Sequence, residues 1–233
     1  MSVSSDVVFF GCWLLVIVGA GVIGWWVDKR RNERFRAWAR RNGWSYSESE
    51  PGLARLSDGQ PFGAGGSRTA REVLRGQFES LAALSFTYEW TTGAGKTRRT
   101  HYAHVIALAL PTSLPSVEVT PEGLGARLGK LVGMQDIGFE SDAFNRAYRV
   151  AAPDERTGHA IVHPRLMERL LQPDALGTPW RIDGTWILTW DSGKTKVDRL
   201  APRLGLLAAV VRSVPRHVWL EHGHDPQTTA TIA

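Results

Sequence analysis

From Val7 to Val27 the chain runs for 21 residues without a charged side chain. No other feature restricts the possible folds so strongly. At 1.5 Å rise per residue such a run covers the roughly 30 Å hydrocarbon core of a bilayer, whereas a buried strand needs only about 4–8 apolar residues. The run therefore predicts a transmembrane helix over residues 7–27. Residues 1–6 hold no Lys or Arg, which argues against a cleaved signal peptide. Trp25 and Trp26 close the run, where an aromatic belt meets the interface. Within it, Gly19-Ala20-Gly21-Val22-Ile23-Gly24 spells a dinucleotide-binding pattern. That pattern needs a short strand before it, a helix after it and an acid about 20 residues on. Here the two tryptophans and a basic cluster follow, and Glu48 lies 29 residues past Gly19. The glycines read instead as small residues of a membrane helix.

Positive charge follows the run. Lys29, Arg30, Arg31, Arg34, Arg36, Arg40 and Arg41 stand against Asp28 and Glu33. The positive-inside rule then predicts a single-pass plasma-membrane protein, with residues 1–6 outside and the C-terminal domain in the cytoplasm. Residues 28–41 carry net +5, the net charge of the whole chain, so the remainder is balanced at 21 basic and 21 acidic residues. The charge belongs to a membrane-proximal collar. A nucleic-acid protein would carry it on its folded part, so nucleic acid is not an expected partner. A bilayer with anionic headgroups is, through Lys29, Arg30, Arg31, Arg34, Arg36, Trp38, Arg40 and Arg41. The single cysteine, Cys12, excludes a disulfide framework.

Residues 28–42 predict a basic juxtamembrane helix that places Phe35 and Trp38 on one face and stops at Gly43. Residues 43–221 predict a cytoplasmic α+β domain, and residues 222–233 a flexible tail. Residues 49–70, rich in Gly, Ser and Pro, read as a loop. In 82–90, Leu84, Phe86, Tyr88 and Trp90 alternate with Ser85, Thr87 and Glu89, the pattern of a half-buried strand. Residues 71–78 suit its hairpin partner. A strand over 99–110 ends at Pro111, and a short one follows at 116–120. Thr120-Pro121-Glu122 then opens a helix over 121–132. Further on, 145–152 suits a strand. Asp154 caps a helix to about Val162, and Pro164 starts another through Leu171. Asp183-Gly184, between apolar runs, signals a type I′ hairpin. Residues 197–214 predict a last helix buried along Leu200, Leu204, Leu207, Val211 and Val214 and ended by Pro215. The predicted fold class is α+β: one N-terminal transmembrane helix, then a cytoplasmic domain with an antiparallel sheet and packed helices.

The segments "RRNGWSY" (40–46), "FESDAFNRAYRV" (139–150), "HPRLMERLL" (163–171) and "PRHVW" (215–219) resemble an uncharacterised family of actinobacterial single-span membrane proteins. The core is also similar to a broader bacterial domain of unknown function with a Phe-x-x-x-Phe/Tyr-x-Val segment, an acidic turn and a Pro-initiated helix. Phe144, Tyr148, Val150, Asp154 and Pro164 to Leu170 occupy those positions. The resemblance implies the membrane anchor and no activity or functional residues. On physical grounds Phe144, Tyr148 and Val150 are core anchors.

Motifs for chemistry are sparse. Gly95-Lys96-Thr97 and Gly193-Lys194-Thr195 each lack the glycine a phosphate-binding loop needs, having Trp90 and Leu188 in its place, and read as turns. His159 and His163 have the i, i+4 spacing of two metal ligands on one helix turn. No Glu stands at position 160, Pro164 breaks the helix, and a third ligand would have to come from His101 or Glu168. Glu140, Asp142, Asp154 and Glu155 read as caps of backbone N–H groups. No G-x-S-x-G elbow is present. No catalytic residue is assigned, and no cofactor is expected. The leading reading is a non-enzymatic module that binds an unidentified protein partner at the inner leaflet. The alternatives are a metal-assisted hydrolase using His159 and His163, and a small-ligand or lipid-binding domain on the Phe86, Tyr88 and Trp90 face.

Overall fold

In a computed structural model, Gly19, Trp26 and residues 29–123 and 133–229 are described. The chain divides into two units, residues 1–46 and 47–233. In the first, residues 29–41 form a helix (α1). Its C-terminus closes on Gly43, whose φ of 70° needs no side chain to accommodate. The Trp44 N–H there donates to the Ala39 carbonyl at 2.8 Å. Phe35 and Ala39 are buried. Tyr46 stacks on Phe35 at 6.0 Å and donates its hydroxyl to Asn32 Oδ1 at 2.8 Å.

The expectation of an N-terminal transmembrane helix needs correction. Among the described residues no helix is long and apolar enough to cross a membrane. Of the segment 7–27 only Gly19 and Trp26 are described; the rest lies outside the described residues. The described part of α1, residues 29–41, carries basic side chains along its length. The fold itself is a mostly antiparallel sheet with helices.

The unit boundary falls within β1 (Ser45–Ser49), the outer strand of a seven-stranded sheet. The other strands are β2 (Gly66–Phe78), β3 (Leu81–Thr92), β4 (Arg99–Pro121), β5 (Gln135–Ile137), β6 (Tyr148–Ala152) and β7 (Trp180–Ser192). Their order is β1-β2-β3-β4-β6-β5, with β7 on β4. The spine is β4. Its first half pairs β3, its last residues pair β6, and β7 runs antiparallel along it.

One strand replaces the two expected over 99–120, and it passes through Pro111 and Pro115. Its pairing with β7 shifts register between Ala109 and Leu114 and again before Val117. Proline is tolerated at such bulges because no ladder hydrogen bond is asked of it there. Pro121 ends β4 and does not start a helix; 122–123 are a turn, and 124–132 lie outside the described residues. The hairpin expected at Asp183-Gly184 is absent as well. β7 continues through both residues, and Gly184 takes its φ of 61° opposite the bulge at Leu114. The tight turn lies between β2 and β3, where Glu79 and Ser80 both have positive φ.

Both faces of the sheet are covered, so β3 is buried on both sides. Leu84, Phe86 and Tyr88 join Ala103, Val105, Ala107 and Leu188 in one core, closed by Leu53, Ala54 and Phe62 of the segment after β1. The opposite face meets α5 (Leu200–Ser213), which lies against β4 and β7 and buries Leu200, Leu204 and Leu207. Val211 on the expected stripe is only half-buried. Pro215 caps α6 (Arg216–Glu221), and α7 (Pro226–Thr229) follows.

Of the remaining helices, the first two pack on the β4-β6-β5 end of the sheet and the third packs on α5. Ser141 caps α2 (Asp142–Ala147), its Oγ accepting from the Phe144 N–H. This helix takes the first residues of the stretch expected to be a strand, and β6 takes the rest. Asp154 Oδ1 accepts from the Thr157 N–H at 2.7 Å and starts α3 (Glu155–Ile161). Pro164 starts α4 (Pro164–Leu170). Phe144, Tyr148 and Val150 are core residues. The Tyr148 hydroxyl donates to Ala175 O at 2.9 Å and accepts from Gly177 N–H at 2.9 Å.

Candidate functional site

The segment from β5 to α4 folds around a half-open groove of about 550 Å³. Gly158 brings α3 onto β5: a Cβ there would lie 2.9 Å from Ile137 Cγ1. Asn145 clamps Phe139 in place, donating from Nδ2 to its carbonyl at 2.6 Å and accepting its N–H at 3.3 Å. Phe139, Val162 and Met167 form a buried apolar floor. Pro164, Met167, Glu168 and Leu171 line one side at the i, i+3, i+4, i+7 spacing of a single helix face. Glu140, His159 and Glu168 are the exposed polar edge.

The two candidate metal ligands are not brought together. The His159 ring packs edge-on to Phe139 at 4.7 Å, within the groove. His163 lies between α3 and α4, and its Nε2 donates to the Ser213 carbonyl at 2.8 Å. Pro164 starts a new helix, so the i, i+4 spacing spans two helices and not one turn. Among the described residues no three His, Cys, Asp or Glu side chains converge to hold a metal. Gly95-Lys96-Thr97 is an exposed 3-10 turn between β3 and β4. In the second triplet, Thr195 is buried and its N–H donates to Thr87 Oγ1 at 2.8 Å, a structural role. His101 stacks on Trp90 at 5.3 Å, and Thr92 Oγ1 lies 2.7 Å from its Nε2.

Two buried polar groups escaped the sequence analysis because each is assembled across several strands, which no short window of sequence displays. In the first, Arg181 is 4% exposed and reaches Glu118 Oε2 at 3.1 Å and Asp183 Oδ2 at 3.2 Å. Asp183 also accepts from Ser57 Oγ at 2.6 Å and Ser116 Oγ at 2.8 Å. This capture explains why Asp183-Gly184 makes no hairpin. Burial pushes the Glu118 carboxyl above the usual range against the pull of Arg181. Burial acts the same way on Asp183, but the Ser57 hydrogen bond, Arg181 and Ser116 outweigh it and hold that carboxyl low.

In the second, His104 is 1% exposed under α5, with Nε2 2.8 Å from Ser85 Oγ and no partner for Nδ1. Burial lowers its pKa to about 4, so it is neutral near pH 7. Beside it Thr87 donates from Oγ1 to Glu72 Oε2 at 2.6 Å. The contacts resemble a nucleophile with its base, yet no substrate could reach atoms buried under a helix. Both groups tie the fold together.

Of the membrane-surface residues, Lys29, Arg30, Arg34, Arg36, Arg40 and Arg41 are exposed along α1, whereas Arg31 and Trp38 are half-buried. The Arg31 guanidinium lies over the Phe35 ring at 4.9 Å, and Trp38 packs edge-on to Trp44 at 5.6 Å.

The fold so assembled is an α+β domain: a β4-centred, mostly antiparallel sheet with helices packed on it. No family model matches the chain, and no curated protein does. Among solved structures it is similar to the crystal structure of the mycobacterial trehalose monomycolate transport factor A. The TM-score is 0.60 at 17% identity, over 79% of this chain and 96% of that one. At that identity the likeness is one of fold.

Proposed function

We propose that this chain is a non-enzymatic factor in lipid transport, acting by binding at a membrane surface. The observation that carries the reading is the match of fold across 96% of a crystallised chain whose name assigns it to transport of trehalose monomycolate. Geometry supports binding over conversion. The perturbed acid and base, Glu118 and His104, are sealed in the core, while the accessible concave surface is apolar-floored. Anionic headgroups are the lipid chemistry that suits α1, whose exposed Arg30, Arg34, Arg40 and Arg41 each add about 1 kcal/mol of attraction near such a surface. The place this reading gives the domain is the cytoplasmic face of the plasma membrane, beside a protein partner. The test is co-sedimentation of the purified chain with vesicles. Binding to phosphatidylglycerol vesicles and little to phosphatidylcholine vesicles is expected. Equal binding to both, or none to either, would overturn the surface role.

A further inference from the structure

We propose that the groove between the β5–α2 loop and α4 is a docking site for a cationic amphipathic helix of a protein partner. The proposal rests on the reading of the domain as a binding module and names the chemistry of what one of its surfaces takes.

The shape comes first. Helix-in-groove recognition uses an apolar trough that receives side chains at i, i+3, i+4 and i+7. The groove supplies such a trough, floored by Phe139, Val162 and Met167 and walled by the Pro164–Leu171 face of α4. A helix laid along that wall would pack on α4 as neighbouring helices do, with axes about 8–10 Å apart. Met167, unbranched and polarisable, can adjust to the side chains it meets.

Charge selects the occupant. Glu140 and Glu168 line the groove and are exposed, and neither has an ion-pair partner among the described residues. Nearby acids are neutralised within the fold: Asp136 by Arg149, Asp174 by Arg169 and Glu221 by Arg156. Arg165 stands on α4 but does not line the groove. An apolar floor with a negative edge suits apolar side chains flanked by Lys or Arg. It disfavours an acyl chain with an anionic headgroup, which would bring like charges together.

The test uses the full chain and a synthetic 18-residue amphipathic helix of Leu and Lys, with a Gln-for-Lys counterpart, followed by fluorescence anisotropy. The chain has three methionines, so the Met167 methyl signal reports groove occupancy by NMR. The Lys peptide should bind with a shift at Met167, and the Gln peptide more weakly. In the Glu140→Lys, Glu168→Lys variant the affinity for the Lys peptide should fall roughly 2- to 30-fold, the range that two surface charge contacts give. Both positions are exposed, and unchanged circular dichroism would show that the variant folds. Unaltered affinity in the variant, or binding without a shift at Met167, would overturn the proposal. So would a neutral acyl probe that shifts Met167 more strongly than the Lys peptide. Normal lipid export in cells lacking the gene would sink the transport reading and leave a groove that passes these tests intact.

Discussion

Gly59 shows how little room the buried charges leave. A Cβ at this position would lie 2.1 Å from Arg181 Nη1, and Arg181 cannot yield without leaving Glu118 or Asp183. Breaking such a pair strands a buried charge, at about 3–5 kcal/mol. Gly59→Ala should therefore lower stability by about 3 kcal/mol or more in urea denaturation, and a loss under 1 kcal/mol would mean that the guanidinium is free to move. His104 sets a pH dependence. Its folded pKa of about 4 lies below the unfolded value of about 6.5, so protons favour the unfolded chain. Its effect is nil above pH 6.5. Stability falls as pH drops from 6.5 to 4, by up to roughly 3 kcal/mol in all. The raised carboxyl of Glu118 works in the opposite sense, so the contrast to measure is the difference in slope between wild type and His104→Asn. Identical slopes in that window would show that His104 is not held neutral. At this scale the sequence was legible where chemistry is local, as with the Asp154 cap and the Phe144 and Tyr148 anchors. Arg181, Glu118 and Asp183 meet through the β4–β7 pairing, which no short window of sequence displays.

Elements obey the same division. Alternation at Leu84, Phe86 and Tyr88 located β3, but could not reveal that Ser85 and Thr87 are buried too, because the groups they meet, His104 for Ser85 and Glu72 and Thr195 for Thr87, come from other elements. Turn chemistry misled twice. Asp183-Gly184 has the residues of a type I′ turn and stays inside β7 opposite a bulge of β4, while Glu79-Ser80 makes the turn without them. Non-glycine residues pay in strain for left-handed backbone, about 1 kcal/mol each. Ser80, at φ 69°, should therefore gain about 0.5–1 kcal/mol on replacement by Gly, read as a raised midpoint in thermal unfolding. A destabilised Ser80→Gly variant would contradict this turn geometry. His159 and His163 do not share a helix turn for an element-level reason, since α3 ends at Ile161 between them and Pro164 starts a new helix just after His163.

For the whole molecule, the apolar run that dominated the sequence lies almost wholly outside the described residues, and its expected membrane helix is not part of the fold described. The proposed function rests on two features of the chain, a cationic α1 and a charge-balanced remainder. Vesicle binding should accordingly depend on α1. Replacing Arg30, Arg34, Arg40 and Arg41 by Glu should weaken binding to phosphatidylglycerol vesicles at least tenfold, and salt should weaken wild-type binding as the Debye length contracts from about 10 Å at 0.1 M to about 3 Å at 1 M. Undiminished binding by the variant would move the lipid contact elsewhere. The most direct measurement of the central claim is made in cells: disruption of the gene, followed by pulse-labelling of acylated glycolipids and separation of the inner-membrane and exported pools. A role in transport predicts normal synthesis with label retained in the inner membrane and export restored by the intact gene. Unchanged partition of the label, or loss of synthesis itself, would contradict it.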